Sequence, residues 1–258
     1  MRLLHTRTGR FVSIDDARDV RYAILSHVWA KKGQPNYVPE QTYQDIIAIE
    51  AAEPPGAEIL SKLSLKIKKA CEVAREHGFD FIWVDSCCIN KTSSAELSEA
   101  INSMFQWYSW AKVCYAFLYD VDDKENHEAV GSHFRRSVWF KRGWTLQELI
   151  APQEVLFLSK EWKLIGTKHS LCITIWHATG IDPLVLKHER PLASVCVAER
   201  MSWAAPRETS KVEDAAYCLI GVFGVTMTPK YGEGHYRSFV RLQRTILKRN
   251  PDQSIFAW

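Results

Sequence analysis

Trp144 and Glu148 stand four residues apart in Arg142-Gly-Trp-Thr-Leu-Gln-Glu-Leu149. On a helix that spacing puts an indole and a carboxylate on one face, one turn apart. The carboxylate can stabilise positive charge developing on a ligand. The indole can stack on a ring and exclude water, which strengthens the electrostatics. The spacing also suits a surface carboxylate on an amphipathic helix; against that, Leu146, Leu149 and Ile150 define the buried stripe and put Glu148 at its edge with Trp144. Other polar residues gather where apolar runs end. Ser26-His27 and Asp85-Ser86 could each meet phosphate or ribose, or simply cap a turn. Asn90-Lys91 could neutralise a pyrophosphate or be solvated, and Arg142 could contact phosphate or pair with Asp120. Cys87 or Cys88 with His27 and Asp85 could form a nucleophile, base and orienter, although thiols more often fill cores. No GxGxxG, Walker, CxxC or HExxH pattern occurs, and the vicinal Cys87-Cys88 is a poor zinc chelate, so no metal is expected.

The elements that must position these residues follow from apolar periodicity. Tyr22–Ser26 reads as a short buried strand, and residues 31–55 as a polar loop with one short helix. Lys62–His77 carries Leu63, Ile67, Ala70, Cys71 and Ala74 at helical spacing, with Gly78 where a helix C-cap belongs. Phe79–Val84 is a second strand. Ser93 and Glu96 fit a capping box, with Ser94 as an alternative cap, for a helix running through Leu97, Ala100, Ile101, Met104, Phe105 and Tyr108. Lys112–Tyr119 is a third strand, Val138–Ile150 a helix stopped near Pro152, and Val155–Leu158 a fourth strand. Short apolar strands alternating with helices mean an α/β fold, a parallel sheet with helices on both faces. Ligands in such folds bind beyond the C-terminal strand ends.

Residues 1–165 therefore form the α/β core and 166–258 a mainly helical extension packed on it. The extension's helices are expected at Ser170–Gly180, Val195–Trp203, Glu213–Phe223 and Tyr236–Lys248 and read as support. Arg200, Trp203, Arg207 and Glu208 are suited to line a site or an interface. Lys248-Arg249 reads as a solvated last turn favoured by the helix dipole. The 258 residues are 47% hydrophobic and include ten tryptophans, ample for a core. A net charge of +3 is too small to argue for nucleic acid. Seven cysteines cannot all pair, no signal-peptide core precedes them, and no apolar run is long enough for a membrane span. A reducing, cytoplasmic setting is expected.

Several motifs occur in one order: YAILSHVW (22–29), FIWVDSCCINK (81–91), SAELSEAINSMFQWY (94–108), RGWTLQELIAP (142–152), RMSWAAPRET (200–209) and YGEG (231–234). Together they resemble the HET domain of fungal heterokaryon-incompatibility proteins, with Val28-Trp29-Ala30 where that family usually has TWG. The resemblance implies a cell-death module of non-self recognition joined to a sensor or oligomerising region. The abrupt apolar end at Trp258 fits a domain cut from a longer chain.

The order of elements over residues 20–165 is also similar to that of TIR domains, with a flavodoxin-like sheet. Trp144-Thr-Leu-Gln-Glu148-Leu149 matches the TIR pattern W-C-x-x-E-L, with Thr145 in the cysteine position. That similarity implies NAD+ as substrate rather than cofactor, cleaved to release nicotinamide with Glu148 as the catalytic carboxylate. It places Ser26, His27, Trp29, Asp85, Ser86, Arg142 and Trp144 as substrate-binding residues and implies self-association. Nicotinamide leaves neutral from a cationic ring, so a carboxylate near the ribose can suffice to stabilise the oxocarbenium-like state. A non-enzymatic module that self-assembles and recruits partners would carry the same sequence.

Overall fold

A computed structural model describes residues 1–29 and 38–257. Ala30, residues 31–37 of the loop expected over 31–55, and Trp258 lie outside them. The strands are β1 (Arg2–His5), β2 (Phe11–Ser13), β3 (Ala23–His27), β4 (Phe81–Val84), β5 (Val113–Phe117), β6 (Val155–Leu158) and β7 (Leu164–Thr167). They form one sheet in the order β2-β1-β4-β3-β5-β6-β7. The four central strands, β4-β3-β5-β6, are parallel. Their order is that of a flavodoxin-like sheet. The expected parallel sheet is thus its centre. The β1–β2 hairpin and β7 extend the edges antiparallel, making the whole sheet mixed.

The helices are α1 (Tyr43–Ala52), α2 (Leu65–Glu76), α3 (Asp85–Cys88), α4 (Ser94–Trp110), α5 (His133–Arg136), α6 (Thr145–Ile150), α7 (Cys172–Thr179), α8 (Pro183–Leu186), α9 (Val197–Ala204), α10 (Asp214–Tyr217) and α11 (His235–Arg249). The chain leaves β3 in one direction to make β4 and crosses back over it to make β5. Right-handed crossovers then place α2 and α4 on opposite faces, and the crevice opens where the order reverses, at the C-terminal end of β3. Every residue of β3 is buried, as a central strand covered on both faces requires. Successive side chains point to opposite faces, so Ser26 looks towards α6 and His27 towards α2.

Local capping sets the helix ends. Ser64 accepts from the Ile67 amide at the start of α2, and Gly78, at φ +75°, closes it in the left-handed conformation. Ser93 caps α4 by accepting from the Glu96 amide. Glu96 does not complete the box. Its carboxylate accepts from Arg2 and from the Asn90 amide, and so ties α4 to β1. The helix expected over 138–150 is broken. A 3₁₀ turn covers Val138–Lys141, and α6 starts only at Thr145.

Among the described residues no helix is long and apolar enough to cross a membrane. The seven cysteines are all free, and all but Cys196 are buried. Trp83, Trp139 and Trp203 are fully buried. Trp139 packs edge-on against Phe140 and Phe157, so part of the tryptophan content builds the core beneath α6.

Candidate active site

A cleft of about 270 Å³ opens at the C-terminal ends of β3 and β4. His27, Trp29, Asp85, Arg142, Trp144 and Glu148 line it, six of the eight residues that the sequence nominates. Glu148 is 5% exposed and sits in the cleft wall, not on the outer face of a helix. Ser26 Oγ donates to Glu148 Oε2 and in turn accepts from Trp139 Nε1 at 2.8 Å. This relay consumes the serine proton and fixes one carboxylate oxygen. Burial pushes the Glu148 carboxyl up to about 8; the Ser26 hydrogen bond opposes that rise and the nearby Asp85 charge adds to it.

Two tryptophans flank the opening. Trp29 Nε1 donates to Asp85 Oδ2 at 2.9 Å, and Lys91 Nζ lies 3.8 Å from the Trp29 ring centre. The same ammonium donates to the Asp85 carbonyl at 2.8 Å. Burial pulls the Lys91 pKa down although Asp85 holds it up. His27 is wedged between two carboxylates, 3.5 Å from Glu40 and 3.7 Å from Asp85. Burial raises the Glu40 carboxyl, but His27 and Lys66 beside it hold it at about 2.

Trp144 is anchored from the extension. Its Nε1 donates to Asp214 Oδ2 at 3.2 Å, and Tyr231 donates to the other oxygen at 2.8 Å. Desolvation raises the Asp214 carboxyl. Ser210, Lys211, Asp214 and Tyr231 complete the wall opposite β3. The C-terminal region therefore furnishes one side of the cleft, more than the support read from sequence. Nothing in the short stretch around Asp214 marks it in advance; only the fold brings it to Trp144.

The start of α6 is clamped by the same region. Thr145 Oγ1 donates to the carbonyls of Trp139 (2.5 Å) and Arg142 (2.9 Å). Arg207 Nη1 donates to the Arg142 carbonyl (2.9 Å) and to Thr145 Oγ1 (3.0 Å). Burial brings the Arg207 pKa down to about 10. The Gly143 amide donates to the Glu208 carbonyl at 2.8 Å. A Cβ on Gly143 would lie 2.5 Å from Thr209 Cγ2 and 3.1 Å from Cys218 Sγ, so glycine permits this approach. These contacts explain the broken helix: Lys141–Gly143 pairs with Glu208 instead of continuing helically.

Residues 22–133 match the family described as "Heterokaryon incompatibility protein (HET)". The chain is 40% identical over 256 residues to "Vegetative incompatibility protein HET-E-1" of Podospora anserina, a match covering 93% of this chain and 18% of that protein. The chain belongs to the HET family. Residues 237–258 of this HET chain also match a "Domain of unknown function (DUF8212)". No solved structure matches it.

The geometry of this HET domain corrects several expectations. Ser26 is fully buried behind Glu148 and outside the cleft lining, where its hydroxyl bonds the carboxylate. Ser86 is buried within α3, its hydroxyl without a partner among the described residues, and does not line the cleft. Arg142 bonds Ser210 Oγ at 3.0 Å, not Asp120, whose carboxylate accepts from Ser137 and the Val138 amide. Asn90 holds Gln44 and Thr92, leaving only Lys91 of that pair at the cleft. Cys87 and Cys88 are buried outside the lining, and burial keeps the Cys87 thiol well above its usual range. A protonated, enclosed thiol is a poor nucleophile.

Proposed function

We propose that this cleft binds NAD+ and that Glu148 promotes release of nicotinamide, the output by which the domain triggers incompatibility-type cell death. The supporting observation is a carboxylate, Glu148, enclosed in the cleft, fixed by Ser26 and flanked by Trp144. The charge pattern suits such a substrate. Glu148, Asp85 and Asp214 face the cleft, while Lys91, Arg142 and Lys211 also line it. A cationic pyridinium fits the carboxylates, and a pyrophosphate fits the basic side chains. A ring stacks on Trp144 or Trp29.

In the reaction the ribose C1′–N bond breaks and its electron pair leaves with nicotinamide. The ionised Glu148 offsets the positive charge spread over C1′ and the ring oxygen. Water adds to C1′ and gives up a proton, so the products are ADP-ribose, nicotinamide and a proton. The domain acts in the cytoplasm as part of a longer protein whose sensor or oligomerising region drives self-association. NAD+ is substrate, and no cofactor or metal takes part.

This role requires the ionised carboxylate, while Glu148 holds its proton up to about pH 8 in the free protein. The kcat/KM for NAD+ is therefore expected to rise with pH, reaching half its limit near pH 8. Two neighbours move that midpoint oppositely. Asp85→Asn removes a nearby negative charge and lowers it; Ser26→Ala removes a hydrogen bond to the carboxylate and raises it. A pH-rate profile of nicotinamide release checks both. Shifts in the same direction, or none, would show that Glu148 does not set the profile.

A further inference from the structure

Helix α11 carries Arg237, Arg241, Arg244, Lys248 and Arg249 and no acidic residue. Arg237, Arg241, Arg244 and Lys248 follow one another at intervals of four, three and four, which draws a single basic stripe along the helix. Arg241 is paired with Glu233 and Arg249 bonds the Gly224 carbonyl. Arg237, Arg244 and Lys248 are exposed and have no ion pair or hydrogen bond among the described residues. Beside the stripe runs a second row, Tyr236, Val240 and Leu247, at spacings of four and seven. Tyr236 is 79% exposed and Leu247 40%. The buried side of the helix is a separate face, made by Ser238, Leu242 and Ile246.

We propose that the exposed face of α11 docks on an anionic phospholipid surface. Charge complementarity requires an anionic partner, and arginines favour one that carries phosphate. The apolar row decides between polyanions. A nucleic acid or an acidic polypeptide would satisfy the cations and leave Tyr236 and Leu247 in water. A membrane interface offers negative headgroups to the cations and an apolar layer just beneath for the adjacent tyrosine and leucine. This gives the stretch 237–258, which matches a domain of unknown function, a task separate from the cleft.

The test is co-sedimentation of the 258-residue chain with vesicles of phosphatidylcholine, alone or with about one third phosphatidylserine, in about 0.1 M salt. Binding is expected to the phosphatidylserine vesicles only and to weaken with added salt. The triple variant Arg237→Gln, Arg244→Gln, Lys248→Gln should bind about a hundredfold more weakly, roughly fivefold for each cation. Tyr236→Ser with Leu247→Ser should weaken binding about tenfold at unchanged charge. These side chains are exposed, so thermal unfolding of the variants should match wild type, and the salt titration reads the same contact without mutation. No binding to phosphatidylserine vesicles would overturn the proposal. So would vesicle binding indifferent to Tyr236→Ser and Leu247→Ser and competed away by duplex DNA or polyglutamate, which would assign the face to a soluble polyanion.

Discussion

Glu148→Gln is expected to lower nicotinamide release from NAD+ by at least about 10³-fold while making the folded protein more stable at alkaline pH. The first effect follows from removing the one carboxylate held against the reacting sugar. The second follows from linkage. In the native state the Glu148 carboxyl is pushed up to about 8, above its ordinary value of 4.5. The folded form therefore holds a proton that the unfolded chain releases. Stability from this group is complete below pH 4.5 and is lost as pH rises towards 8. Glutamine occupies the same space, keeps an acceptor for Ser26 and has no proton to lose. At pH 9 the variant should exceed wild type by on the order of 2–4 kcal/mol, with almost no difference at pH 4. Thermal unfolding across that range measures it. A variant that is less stable than wild type at both ends would show that Glu148 is a structural carboxylate held ionised.

Gly221→Ala is expected to separate the extension from the core. A Cβ there would fall 2.2 Å from Phe105 Cβ and 2.7 Å from its Cγ. The first carbon of a helix side chain moves only with its backbone, so either α4 or the Gly221 turn must shift. Nearby, Asn102 of α4 gives Nδ2 to the Met227 carbonyl and accepts from the Met227 amide, both at 2.9 Å. Displacing this joint loosens the wall that carries Asp214 and Tyr231, and with it the anchor of Trp144. A cost of about 2–3 kcal/mol is expected, a fall of about 5–10 °C in Tm. Nicotinamide release should fall at least tenfold even at temperatures where the variant is folded. Unaltered activity in a destabilised variant would detach the extension from the site.

The parts of this fold that were legible in sequence are those with long-range regularity. The buried strands β3 to β6 and the helices α2 and α4 announce themselves by apolar period and by Ser93 and Gly78 at their ends. The β1–β2 hairpin does not, because Arg2–His5 and Phe11–Ser13 are too short to show alternation. The break before α6 is invisible locally, since its cause is Glu208, far along the chain. In the site, strand-end logic finds His27 and Asp85, while Trp29 comes only from the family resemblance. It misplaces Ser26, because neighbouring strand residues face opposite sides of the sheet and only one of the two reaches the opening. Asp214 and Lys211 carry no local mark of function, and Tyr231 is marked only as the start of YGEG. Their role appears only when the extension closes over Trp144.

The proposed role of Glu148 is to drive loss of nicotinamide from NAD+. Its most direct test is chromatographic measurement of nicotinamide released from NAD+ at pH 8 by wild type and Glu148→Gln, each fused to an inducible dimerising tag. Nicotinamide and ADP-ribose are expected in equal amounts from wild type, and none above background from Glu148→Gln. Equal release by both would remove Glu148 from the reaction, and none by wild type when dimerised and folded would leave the domain as a non-enzymatic signalling module.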